Sequence, residues 1–159
     1  MSLRKIPRLA IELSSLFVCD IQDRFRPLIW RAETVIRRSS LLYSAAQYLN
    51  IPTIITEQYP KAFGNTVSDI FSFTPISVDE KPATKVFEKK LFSMMTDEVN
   101  DYYKECAGFG TERWERQQVI LCGIETHVCV MQTALDLLAD GKEVISCFSS
   151  CSYSHYIND

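Results

Sequence analysis

The 159-residue sequence lacks the short motifs that hold nucleotides and structural metal ions. No GxGxxG or GxxxxGK[ST] segment follows any apolar run, which disfavours a dinucleotide or P-loop phosphate site. No CxxC pair occurs among the six cysteines, and their spacing fits neither a zinc knuckle nor a disulfide framework. We therefore expect reduced thiols and no cofactor.

The sequence also lacks a strong charge of one sign and a long apolar run. Its net charge is -3, which argues against a nucleic acid or a membrane surface as the partner. No apolar run approaches transmembrane length, and the basic first residues precede no apolar segment of the secretory kind. We expect a cytoplasmic location, with a mitochondrion or another organelle as the alternative.

What the sequence does contain is an alternation of buried-strand and helix patterns. Such alternation is typical of a parallel sheet with helices on both faces. We predict a Rossmann-like, doubly wound α/β domain, a three-layer sandwich with strand order 3-2-1-4-5. The predicted strands are residues 16–19, 53–56, 83–87, 119–122 and 143–148, and the predicted helices are residues 36–49, 66–71, 96–104 and 126–139.

Three reactive side chains follow predicted strands of this sheet. Asp20 follows the first, Lys89 the third, and Cys129 lies just after the fourth, in the first turn of a helix that Thr126 is expected to cap. Ligands bind at the carboxyl ends of the strands in such sheets, so the three should share one rim. A helix start favours the thiolate of Cys129. The alternative is that Cys129 is a small residue that packs the helix start.

Together these groups have the chemistry of nucleophilic catalysis. A carboxylate in a partly dry cleft can take the proton of a thiol and return it to a leaving amine. A neighbouring lysine keeps that carboxylate ionised and balances the charge of a developing oxyanion. Backbone amides of the tight turn before Cys129 are candidates for the oxyanion site.

Four segments in order, residues 16–25, 51–67, 89–94 and 119–144, resemble the isochorismatase-like cysteine hydrolase family. The TEQYPK stretch looks most like the isochorismatase domain-containing branch. The resemblance implies that Asp20 is the general acid and base, Lys89 the charge-balancing partner and Cys129 the nucleophile. It also implies a cis peptide around residues 123–125, with amides of that turn, near Glu125, and of Cys129 binding the oxyanion.

The resemblance has two departures. Nicotinamidases of that family bind a metal through an aspartate and two histidines after the second strand, whereas TEQYPKAFGN has no histidine, so we expect no metal. Relatives also continue with a further helix, strand and helix. We therefore expect residues 1–159 to form a single domain without those last elements. Either the sequence is a fragment or shortened product, or a partner copy covers the edge of the fifth strand in a homo-oligomer.

For three other polar residues near the rim, the sequence leaves two possible roles open. Gln22 is expected either to hydrogen-bond near the site or to cap the next helix, and Glu57 and Tyr59 either to line a substrate pocket or to pin the 58–82 connection. We predict a cysteine hydrolase that acts on an amide or related C–N bond of a small molecule. The alternatives are a catalytically silent scaffold or interaction protein and a thiol sensor.

Overall fold

A computed structural model describes residues 8–72, 84–107 and 117–152, without the side chains of residues 105–107 and 148–150. The described chain alternates strands with helices, as the patterns predict. The strands are β1 (Ser14–Cys19), β2 (Thr53–Gln58), β3 (Thr84–Lys89), β4 (Gln118–Ile124) and β5 (Glu143–Ser152). The helices are α1 (Ala32–Tyr48), α2 (Pro60–Phe63), α3 (Asp97–Ala107) and α4 (Met131–Ala139).

The five strands form one parallel sheet in the order β3-β2-β1-β4-β5, which confirms the predicted order. β1 lies at the centre, and all six of its residues are buried. Its last residue, Cys19, is level with Thr56 of β2 and Gly123 of β4. The sheet therefore brings the carboxyl ends of three strands to one edge, where the side chains that follow them can meet.

Two apolar clusters cover the two faces of the sheet and make it a three-layer sandwich. Alternate residues of β1 point to opposite faces: Leu16 and Val18 pack in the cluster under α1, whereas Phe17 and Cys19 pack in the other. The second cluster takes residues from α3 and α4, and it also contains Cys129. The fold thus places Cys19 and Cys129 in the same apolar layer.

The predicted strands are all present, and most extend further than their apolar runs. β1 begins two residues earlier, at Ser14, and β2 ends two residues later, at Gln58, because polar residues at the ends of central strands still pair with neighbours. β5 continues to Ser152 past an irregularity in its pairing with β4. Gly141, just after the end of α4, has φ 76°.

The predicted helix over residues 126–139 is wrong in its first turn. Residues Thr126–Val130 form a π-helical turn, and α4 follows from Met131. Thr126 does not cap the turn, because its hydroxyl donates to the carbonyl of Ser152 at 2.9 Å. Sequence periodicity cannot distinguish a π turn from the first turn of an α-helix.

The long connection after β2 also differs from its prediction. The predicted helix over residues 66–71 is a 3-10 helix, Ser68–Phe71, and α2 lies before it. Residues 73–83 and 108–116 lie outside the described residues. Within the described part, no helix is long and apolar enough to span a membrane.

Candidate active site

The structure brings Asp20, Lys89 and Cys129 together at the carboxyl edge of the sheet. The Lys89 Nζ lies 2.7 Å from the Asp20 Oδ2. The Cys129 Sγ, the Cys19 Sγ and an Asp20 carboxylate oxygen all lie within 4.8 Å of one another. Three segments far apart in the sequence therefore converge, and one further thiol joins them.

The backbone and a neighbouring strand hold the Asp20 carboxylate in place. Asp20 has a left-handed backbone (φ 52°), which turns the chain sharply at the end of β1. Its N–H donates to the carbonyl of Thr56, and the Thr56 hydroxyl donates to Asp20 Oδ1 at 2.8 Å. The same residue of β2 thus fixes both the main chain and the side chain of Asp20.

The environment of Asp20 shifts its pKa upward from the ordinary value of 3.8. Burial is the largest cause, because it penalises the charged carboxylate. The charge and hydrogen bond of Lys89 oppose the shift, as do hydrogen bonds from Thr56 and Cys129. A carboxyl group with a raised pKa, in contact with a thiol, is suited to exchange a proton with it.

Lys89 is fully enclosed by acceptors at the end of β3. Its side chain is 0% exposed, and its Nζ donates to Gln58 Oε1 at 2.6 Å and to the carbonyls of Leu91 and Phe92 at 3.0 and 2.9 Å. With Asp20 these make four acceptors for an ammonium group that carries three protons. Lys89 is therefore held to balance the charge of Asp20.

Cys19 and Cys129 differ in their access to solvent. Cys19 is 0% exposed and Cys129 is 8% exposed. Burial is the largest cause that raises the pKa of the Cys19 thiol well above 9.0, followed by its hydrogen bond with Cys129 and the negative charge of Asp20. Cys19 therefore keeps its proton at neutral pH, beside a more accessible sulfur.

The turn before Cys129 contains the cis peptide that the resemblance implies, between Ile124 and Glu125. The carbonyl of Glu125 accepts the N–H groups of Val128 and Val130, both at 3.1 Å, and its carboxylate lies 3.7 Å from His127 Nε2. The side chain of Glu125 is thus turned toward the exposed His127. An oxyanion role for the amides of this turn stays a prediction.

Gln22 and Glu57 pin the connection that follows β2. Gln22 is buried, donates to the carbonyls of Gln58 and Gly64 at 3.0 and 2.6 Å, and accepts the N–H of Gln58 at 2.7 Å. Glu57 Oε1 accepts the N–H and the hydroxyl of Thr66 at 2.6 and 2.8 Å. The contacts of Glu57 favour the interpretation that it positions the connection. Gln22 makes no side-chain cap to the next helix, so its contacts favour the alternative that it hydrogen-bonds near the site.

Tyr59 borders a cleft of about 690 Å³ at the ends of β2 and β3. The cleft has Lys89 and Leu91 on one wall and residues of α3 on another, and its volume is in the range of small-molecule sites. Tyr59 is 46% exposed, and its N–H donates to the carbonyl of Lys89. Its position is compatible with a substrate contact, which stays a prediction.

The described residues contain one cluster with the donor types of a metal site, namely Cys19, Asp20 and Cys129. The Lys89 Nζ forms an ion pair with the Asp20 carboxylate at 2.7 Å, so a cationic side chain already lies where a metal ion would bind. The cluster is therefore better suited to proton transfer than to holding a metal ion.

Sequence reasoning missed two members of the site. The strand patterns place Thr56 and Cys19 in predicted strands without marking either as a site residue. Thr56 nevertheless orients Asp20, and the Cys19 sulfur lies within 4.8 Å of the Cys129 sulfur. Strand register could have identified Thr56, because it pairs with Cys19 across β1 and β2. Nothing in the local sequence around Cys19 indicates its contact with a residue 110 positions away.

The fold and this site define an α/β protein with a cysteine, an aspartate and a lysine at the carboxyl edge of its parallel sheet. Comparison with known proteins agrees with that class, since the isochorismatase domain model matches residues 14–154. The chain belongs to the isochorismatase family.

Individual relatives cover most of this chain. It is 43% identical over 141 residues to the secreted isochorismatase effector Isc1 of Phytophthora sojae, covering 89% of this chain and 62% of that protein. It is 42% identical over 139 residues to isochorismatase domain-containing protein 2 of Danio rerio, covering 87% of this chain and 62% of that protein. A solved structure of the MAR1 ribonuclease from Caenorhabditis elegans matches with a TM-score of 0.80 and 37% identity. The match covers 94% of this chain and 70% of the chain in that structure.

The chain thus spans a little over three fifths of the length of these two curated relatives.

Proposed function

We propose that this chain is a cysteine hydrolase that cleaves an amide or related C–N bond of a small molecule. The observation that carries the proposal is that the Cys129 thiol lies beside the Asp20 carboxylate. The same carboxylate forms an ion pair with Lys89 and accepts a hydrogen bond from Thr56. Membership of the isochorismatase family supports a hydrolase type of activity.

In the first step, Asp20 accepts the proton of Cys129, and the thiolate attacks the carbonyl carbon of the substrate. Asp20 is suited to this exchange because its raised pKa brings it closer to that of a thiol. The new C–S bond gives a tetrahedral intermediate with a negative oxygen. Asp20 then returns the proton to the nitrogen, the C–N bond breaks, and an amine leaves behind a thioester.

In the second step, water replaces the amine. Asp20 takes a proton from the water, whose oxygen attacks the thioester carbon, and the C–S bond breaks to release an acid and the thiolate. Asp20 then returns the proton to the thiolate, which restores the starting state. The Lys89 Nζ lies beside Asp20, and its other acceptors, Gln58 Oε1 and the carbonyls of Leu91 and Phe92, hold it there and away from the substrate.

Other reactions have less support from these residues. Hydrolysis of a vinyl ether, of the isochorismate type, does not call for a nucleophilic cysteine. The ribonuclease name belongs to the C. elegans protein, and a net charge of -3 gives this chain no general attraction for a polyanion. The two remaining rivals, a silent scaffold and a thiol sensor, keep the fold without turnover.

Alkylation with iodoacetamide at neutral pH tests the nucleophile. Cys129 should react at least about tenfold faster than the half-buried Cys147, which lies outside the site, because its proton has an acceptor in Asp20. Peptide mapping reports the rate at each cysteine. A Cys129 that reacts no faster than Cys147 contradicts the proposal and favours the scaffold.

A turnover screen against small amides and ureides tests the reaction itself. The substitution Cys129→Ser should lower turnover by at least about 10³-fold, and the matched Cys147→Ser variant should retain it. If no C–N substrate is turned over while Cys129 is rapidly alkylated and reversibly oxidised, the thiol-sensor alternative is correct.

A further inference from the structure

We propose that Cys19 is a resolving thiol for Cys129, so that a hydroperoxide converts the pair into a reversible disulfide that switches the site off. The proposal rests on the nucleophilic role proposed for Cys129. It gives a function to Cys19, which the hydrolytic steps do not use.

The two sulfurs lie close enough that a bond between them needs only a limited movement. They lie within 4.8 Å of each other, although Cys19 ends β1 and Cys129 lies in the π-helical turn before α4. A disulfide needs a separation of about 2.05 Å, so the sulfurs must approach by less than ~3 Å. A turn at the end of a helix can supply that movement more readily than a central strand.

The difference in exposure fixes the order of events. Cys129 is 8% exposed and Cys19 is 0% exposed, so a small oxidant can reach only Cys129 directly. The thiolate, not the thiol, reacts with hydroperoxides. Cys129 has Asp20 as an acceptor for its proton. Burial raises the pKa of Cys19, so Cys19 stays protonated while Cys129 is oxidised.

The proposed chemistry takes two balanced steps. The Cys129 thiolate attacks a hydroperoxide, the O–O bond breaks, and Cys129 becomes a sulfenic acid. The alkoxide or hydroxide that leaves takes the proton that Asp20 accepted from Cys129 and becomes an alcohol, or water when the oxidant is hydrogen peroxide. The Cys19 sulfur then attacks the sulfenic sulfur, forming the S–S bond and breaking the S–O bond. The hydroxide that leaves combines with the proton of Cys19, which Asp20 is placed to relay, to give water.

The disulfide would remove the nucleophile without destroying it. A dithiol reductant restores both thiols, whereas sulfenic acid without a resolving thiol proceeds to sulfinic acid, which such reductants do not reverse. Cys19 would therefore protect Cys129 from irreversible oxidation.

The test oxidises the whole chain with hydrogen peroxide, quenches the thiols and maps the peptides. We expect a Cys19–Cys129 cross-link that dithiothreitol reverses; tandem mass spectrometry is needed because one tryptic peptide carries both Cys122 and Cys129. In Cys19→Ser, Cys129 should accumulate as sulfinic acid, leaving at least about fivefold less free Cys129 thiol after reduction than in the wild type.

The controls separate this proposal from the hydrolase proposal. Cys147→Ser should behave as the wild type, and Cys19→Ala replaces Cys19→Ser if the serine variant does not fold. Absence of the cross-link in wild type, with Cys129 still rapidly alkylated by iodoacetamide, overturns the resolving role and leaves the hydrolase proposal standing. A Cys129 that neither iodoacetamide nor peroxide modifies overturns both.

Discussion

At the scale of single residues, the site depends on a buried ion pair, and both of its members also form hydrogen bonds. Burying charges is costly unless they are paired and hydrogen-bonded. The Asp20 carboxylate has Lys89 and Thr56, and the Lys89 ammonium also has Gln58 and two backbone carbonyls. These partners offset part of the cost of burying the two groups next to Cys129, although burial still raises the pKa of Asp20.

The raised pKa of Asp20 predicts the acid limb of the pH profile. As the pH falls through that pKa, the carboxylate gains a proton and can no longer accept one from Cys129. The rate of Cys129 alkylation should therefore fall at a pH above 3.8, the ordinary value for an aspartate. Lys89→Met should move this limb to higher pH, because Lys89 lowers the pKa of Asp20.

The control for this profile is Lys90→Met, which removes the same charge from the exposed neighbour. It should leave the acid limb in place. A limb that moves to lower pH in Lys89→Met, or that moves equally in both variants, would contradict the assigned role of Lys89.

At the scale of elements, the site requires a close approach between β1 and β4. Gly123 has φ 129°, and a Cβ at this position would lie 2.1 Å from the carbonyl oxygen of Cys19. Only glycine permits both the backbone conformation and the contact. This contact lies at the level of the site, directly before the turn that carries Cys129.

We therefore expect Gly123→Ala to lower the free energy of unfolding by about 3 kcal/mol or more, because strand β4 must move away from Cys19. Gly141→Ala is the matched control: its φ is 76°, but nothing lies within 4 Å of the added carbon. It should cost only about 1–2 kcal/mol, from backbone strain. Urea unfolding measures both, and equal losses would contradict the steric explanation.

At the scale of the whole molecule, α4 exposes an apolar stripe. Met131, Leu135 and Leu138 are 45%, 53% and 55% exposed and share one helical face, while Leu137 is buried on the opposite one. Exposed apolar stripes commonly mark contact surfaces. The stripe is thus a candidate surface for the predicted homo-oligomer, which stays a prediction.

Leu135→Glu should weaken self-association of the chain, because it places a charge in the middle of the stripe. Its effect on the free energy of unfolding of the monomer should stay within about 0.5 kcal/mol, since the side chain is exposed. Gln132→Glu adds the same charge to an exposed position of α4 and should leave association unchanged. Sedimentation velocity compares the two, and equal association of both variants with the wild type excludes this face.

Much of this molecule could be predicted from local patterns and motifs. Short apolar runs predicted all five strands, and the motifs around Asp20, Lys89 and Cys129 identified the family. Polar strand ends and the π-helical turn at Thr126–Val130 were not predicted, because their stability comes from pairing and packing with distant segments.

The strand and helix alternation, and the reactive residues that follow the strands, depend on local periodicity and residue chemistry, so both could be predicted from the amino-acid order. The contacts between distant side chains come from the three-dimensional fold. It paired Asp20 with Thr56, enclosed Lys89 among carbonyl groups and set Cys19 against Cys129. Such contacts depend on strand register and on the path of distant loops, and local sequence encodes neither.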